Sequence, residues 1–175
     1  MRKKTLCGFL LLLSLGCTDQ SAQQQQRELT YFDIKGYFET EVNRLNKLKP
    51  SITKSVEIND SLERKAVRIL DWKKELSIFS EADINRASWK GLFKLEKHDG
   101  TDIYTSDDEK VPVKKLALRF EGKRIKQILI VLNTNNSLYD SKDSLSYYPD
   151  SLYRIKKTQH IKLLSSKHYE IQGLF

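Results

Sequence analysis

The sequence is short of the residues on which several common chemistries depend. Its two cysteines, Cys7 and Cys17, both stand near the start of 175 residues. The rest of the chain has no thiol nucleophile, disulfide or cysteine metal site, so its stability must come from packing alone. The three histidines, His98, His160 and His168, include no pair at the i, i+4 spacing of a helical metal site, and HExxH is absent. The seven glycines form no phosphate-cradling loop. No metal and no cofactor is expected.

Long hydrophobic runs are also scarce, and the one present is short. Arg2, Lys3 and Lys4 precede the apolar stretch Leu6–Leu13, which is followed by Ser14, Leu15, Gly16 and Cys17. A basic start, a short apolar run and small residues before a cut describe a secretory signal peptide. The run falls short of the roughly 20 residues that span about 30 Å of hydrocarbon. Ser14-Leu15-Gly16-Cys17 resembles the lipobox of bacterial lipoproteins, with Ser14 where that family usually has leucine and Leu13 one place earlier. The resemblance implies lipidation of Cys17, removal of residues 1–16 and a lipid-anchored mature chain. Two or three acyl chains hold far longer than one, since each buried CH₂ contributes about 0.8 kcal/mol. Residues 17–28, with Gln23–Gln26 and no large apolar residue before the end, read as a flexible tether. By analogy with lipoprotein sorting, Thr18 is not the aspartate that signals inner-membrane retention. The expected place is therefore the outer membrane, lipid-anchored and facing the periplasm, with surface exposure as the alternative.

Charge is plentiful but nearly balanced. The leader holds three of the 31 Lys and Arg and no acid, so without it the formal charge falls from +8 to +5. That modest excess does not argue for nucleic acid, and neither does the compartment.

Residues 29–175 are long enough for a single domain with a core. Tyr31, Ile34, Phe38, Val42, Leu45 and Leu48 recur at three and four, which predicts an amphipathic helix capped by Thr30 and closed by Pro50. Ile52, Val56 and Ile58 alternate as a strand, and Asn59-Asp60-Ser61 reads as a turn. Residues 62–70 fit either a strand or a helix. Asp71 caps an expected short helix over 72–82. The second half is β-rich: 92–97 and 101–105 around His98-Asp99-Gly100, then 113–121 and 124–133 around Gly122, then 137–147, 153–164 and 167–173. Ile128–Leu132 is apolar on both faces, which predicts a central strand covered on both sides. The expected fold is α+β: the N-terminal amphipathic helix packed on a curved antiparallel β-sheet meander, plus one short helix.

Candidate chemistry is thin. Ser51 and Lys54 match SxxK, but on a strand residues three apart face opposite sides, and the SDN and KTG partners are absent. The acidic segments Asp107–Glu109 and Asp140–Asp143 lack the ladder of a calcium loop. Glu81, Asp83 and Asn85 form an acidic helix end with no second carboxylate to pair. The terminal alternation Tyr169, Ile171, Gly173, Phe175 reads as a strand seated on the core, because the neighbouring segments are too charged for a lipid-facing barrel. Lys115, Arg119, Arg154, Lys156 and Lys162, interleaved with Tyr147, Tyr148 and Tyr153, are candidates for one sheet face, read first as a charged, solvated outer surface and alternatively as a face for an anionic partner such as a lipid headgroup or acidic glycan. With no catalytic constellation, the leading expectation is a non-enzymatic envelope binding or structural module, whose partner is an envelope protein, lipid or glycan. The alternatives are a carrier holding lipid between helix and sheet, and a hydrolase of envelope polymers using carboxylates that the sequence does not pair.

Overall fold

The computed structural model describes residues 29–59, 61–162 and 164–175, so the expected leader, Cys17 and the tether lie outside the described residues. Helix α1 (Ile34–Leu48) comes first. Its cap is Asp33 rather than Thr30: the Asp33 carboxylate accepts from the Gly36 N–H at 2.8 Å. A carboxylate there satisfies a first-turn N–H that has no helical partner and meets the positive end of the dipole. Tyr31 therefore lies ahead of the helix. Its N–H donates to Asn85 Oδ1 and its hydroxyl accepts from the Gly91 N–H. The inward stripe is Ile34, Phe38, Glu41 and Leu45. Val42 is only half-buried and Leu48 is 61% exposed, so the expected stripe is corrected at both places.

Strands β1 (Ser51–Ile58) and β2 (Ser61–Arg68) follow as a hairpin. Residues 61–68 are thus strand. Their mixed pattern has a physical cause: β2 is an edge strand exposed at every position but Val67, so no buried face imposes alternation. The single short helix expected next is two, α2 (Trp72–Glu75) and α3 (Ser77–Glu81), broken at Leu76. Asp71 caps as expected, accepting from the Lys74 N–H at 2.9 Å. The break lets Trp72 stack on Phe175 while Phe79 meets Phe38.

The remaining strands are β3 (Lys94–His98), β4 (Thr101–Thr105), β5 (Val113–Glu121), β6 (Arg124–Asn135), β7 (Tyr139–Tyr148), β8 (Leu152–Ile161) and β9 (Lys167–Leu174). They form one open antiparallel sheet with order β2-β1-β9-β8-β7-β6-β5-β4-β3. Asp99 and Gly100 both have positive φ, as a tight two-residue hairpin requires. From β3 to β9 each strand pairs with the next, and the first hairpin then docks through β1 on β9.

Alternation divides the sheet into two faces. One carries the paired rows Leu116, Ile130, Leu145, Ile155 and Leu118, Ile128, Tyr147, Tyr153. The three helices pack on it, with Phe38 and Phe79 against Tyr147. The other face has no helix over it among the described residues. Ile128–Leu132 is accordingly covered on one side only. Ile128 and Ile130 are fully buried, while Leu129 and Val131 are half-buried between Ala117 and Ser146 and between Lys115 and Ser144. No helix among the described residues is long and apolar enough to cross a membrane.

Candidate functional site

Cross-strand register places four of the five expected cations on the open face. Lys115 on β5 shares a row with Val131, Ser144 and Lys156, and Arg154 shares the next with Ala117, Leu129 and Ser146. Arg119 lies in a third row, paired with Gln127. The two strands bearing these cations are three strand spacings apart, about 14 Å. Lys162 does not join them. It sits in the turn after β8, where its N–H donates to the Leu138 carbonyl, because the strand ends at Ile161. The tyrosines divide as well: Tyr148 lies with the cations, whereas Tyr147 and Tyr153 are fully buried on the covered face. Strand alternation permits only one of Tyr147 and Tyr148 on each side.

The cations also differ in what they face. Glu170 takes both Arg154 (3.2 Å) and Lys156 (3.0 Å), and Gln172 accepts from the Arg154 guanidinium. Lys115 and Arg119 make no ion pair with the described residues. Such exposed pairs contribute only about 0–1 kcal/mol each, so Arg154 and Lys156 are held in place more than they are stabilised.

Beneath the open face lies a polar layer that sequence reasoning missed. Glu41 of α1 accepts from the Tyr147 hydroxyl at 2.5 Å and from Arg44 through both of its oxygens, and Arg44 continues to Asp150 at 2.6 Å. Glu75 of α2 accepts from the Tyr153 hydroxyl and, on the same oxygen, from Lys54 at 2.6 Å. Tyr147 and Tyr153 are direct cross-strand partners, so adjacent strands are each tied to a different helix. Burial, and then the carboxylate partner, push both phenols well above the ordinary tyrosine range. The hydrogen bond to Glu41 pushes the Arg44 guanidinium upward, against the opposing effect of desolvation. Tyr153 reaches Glu75 by lying across β9 at Gly173, where any Cβ would stand 2.2 Å from the ring. One signal for this layer was legible: Glu41 sits at helical spacing between Phe38 and Leu45, on the apolar stripe.

At one end of the open face lies a cleft of about 550 Å³ whose lining includes Tyr148, Gln127 and Lys126. Between Arg119↔Gln127 and Phe120↔Ile125 the pairing of β5 with β6 shifts, which leaves Lys126 as an extra residue on β6. Arg119 and Glu121 line the cleft, and Phe120 between them lines it while packing against the core. Gln127 donates to the Tyr148 hydroxyl at 2.9 Å. Lys126 pairs with Glu121 at 2.8 Å, and that contact holds the Glu121 carboxyl below its usual range.

No family model, curated protein or solved structure matches this chain.

The remaining candidates stay apart. His98 contacts Asp99, His160 contacts Ser166 and His168 contacts Thr158. Among the described residues no three His, Cys, Asp or Glu are grouped to hold a metal. Ser51 and Lys54 both lie on β1, with Lys54 bound to Glu75. Asp140 and Asp143 belong to β7 and pair on both sides, within the strand expected over 137–147. The Asp108 carboxylate accepts from the Lys110 N–H and its carbonyl from the Lys114 ammonium, so its oxygens are taken up by neighbouring residues. Asn85 bridges to the Tyr31 N–H and the Phe32 carbonyl, a structural strap.

Proposed function

We propose that the protein is a non-enzymatic binding module of the cell envelope. It is held at the outer membrane through lipidated Cys17 and presents the open face of its sheet to an anionic envelope partner. The observation that carries this reading is the separation of the two faces. All three helices cover one side, while Lys115 and Arg119 stand without ion pairs among the described residues on the other. Cations that carry no local partner attract polyanions over about a Debye length, roughly 8 Å at physiological salt.

The filled interface argues for this reading over a carrier. The space between α1, α3 and the sheet holds Phe38, Phe79 and Tyr147 in mutual ring contact, with Leu45 and Ile130 in the same buried cluster. The helix carboxylates Glu41 and Glu75 are each bound by a tyrosine and a cation.

Two measurements test it. Palmitate labelling of the full chain is expected to vanish in Cys17→Ser, and persistent label defeats the anchor. Binding of the detergent-solubilised protein to polyphosphate, a bare polyanion, is expected to weaken about tenfold in the double variant Lys115→Gln/Arg119→Gln, a loss of about 1.4 kcal/mol. It should also fall as salt rises. Binding indifferent to both substitutions and salt removes the anionic-face reading.

A further inference from the structure

The cleft at the end of the open face has a chemistry that bare charge attraction does not explain. Its cations, Arg119 and Lys126, are matched by its acids, Asp99 and Glu121, so its lining carries no net formal charge. It is not an anion trap. What it offers is a set of donors and acceptors around the Tyr148 ring. The Lys126–Glu121 pair is closed on itself at 2.8 Å, and Arg119 keeps its guanidinium donors free of ion pairs within the described residues. Gln127 uses one amide hydrogen on Tyr148 and retains its carbonyl as an acceptor. Having accepted that bond, the Tyr148 hydroxyl is left as a donor.

We propose that this cleft binds a sugar ring of an envelope glycan. The ring packs on Tyr148, and its hydroxyls meet Gln127, Arg119 and Asp99. A pyranose has an apolar C–H face and a rim of hydroxyls that both donate and accept. It suits a charge-balanced, amphipathic cleft better than a phosphate does, and few small ligands need an aromatic wall and this many mixed polar groups together. Tyr148 is half-buried and tethered by Gln127, so it is held before the ligand arrives and little rotamer freedom is lost on binding. Lys115 lies on the same face as the cleft, two rows from Arg119. A glycan seated here would run an acidic unit past that lysine. The inference rests on the open face being a binding surface and adds the class of its ligand.

The test uses the full chain in detergent, with three defined oligosaccharides: chitotetraose, cellotetraose and tetragalacturonate. Polyphosphate serves as a sugar-free polyanion. Calorimetry reads affinity, and amide NMR shifts at Gln127 and Tyr148 report the place. At least one sugar is expected to bind with shifts confined to the cleft. Tyr148→Ala should weaken it at least about tenfold while leaving polyphosphate binding unchanged. Gln127→Leu, which keeps the volume and removes the amide, should weaken the sugar and not the polyanion. If none of the three sugars binds, or if sugar binding survives Tyr148→Ala, the glycan cleft is overturned. Polyphosphate binding that still responds to Lys115→Gln would then show that the anionic face stands without it.

Discussion

Ile130 and Leu129 are neighbours on β6, similar in size and chemistry, yet they belong to different parts of the molecule. Ile130 is fully buried under the helices, in a row with Leu116 and Leu145, while Leu129 is half-buried on a face with no helix over it among the described residues. The same contrast repeats between Tyr147, locked to Glu41, and Tyr148, which faces an open cleft. The two faces of this sheet therefore do different work. One holds the fold by burial and by carboxylate–tyrosine ties. The other carries the exposed cations and the cleft at Tyr148.

The sharpest way to break that contrast is to truncate the two neighbours. Ile130→Ala is expected to cost about 2–5 kcal/mol in urea unfolding, and Leu129→Ala less than half as much. Equal losses would mean that something covers the open face.

Next is Gly173→Ala. Its Cβ would collide with the Tyr153 ring, so the ring must leave and Glu75 loses its hydroxyl. A loss of about 1–3 kcal/mol is expected. Recovery in the double variant Gly173→Ala/Tyr153→Leu would show that the ring is the cause.

The ties themselves give a pH signature. Both tyrosines have folded pKa values raised above the unfolded value of about 10. Their contribution is therefore complete below pH ~10 and lost as pH rises beyond it, by at most about 1.4 kcal/mol per pH unit for each. Unfolding midpoints measured on either side of pH ~10 should fall at the alkaline end, and less steeply in Tyr147→Phe. At neutral pH that variant should lose about 1–3 kcal/mol, because Glu41 keeps Arg44 but loses one donor.

The smallest expected effect lies on the open face. Lys115→Gln and Arg119→Gln should each stay within about 0.5 kcal/mol of the parent in stability while altering binding. A large stability loss there would erase the distinction between the faces.

Local pattern carried the helix, strand β1 and the run of strands from β3 to β9, because each rests on contacts between near neighbours in the chain, whereas β2 was left open between strand and helix. The helical period of Ile34, Phe38 and Leu45, the Asp99-Gly100 turn and the Gly122 turn act over a few residues, where composition alone is decisive. The basic face was half legible for the same reason: alternation along β5 and β8 puts Lys115 with Arg119 and Arg154 with Lys156, but their pairing with Glu170 comes from the neighbouring strand β9. Three things needed the folded chain. The docking of β1 on β9 joins residues more than a hundred positions apart, and nothing in either strand names the other. The burial of Glu41 depends on Tyr147 and Arg44 being there to receive it, since a lone carboxylate on an apolar stripe would be expelled. The open side of Ile128–Leu132 was decided by where the helices pack, which periodicity within the strand does not encode. Sequence determined which side chains share a face; only tertiary structure decided which face was covered, because burial belongs to pairs of elements and not to either one alone.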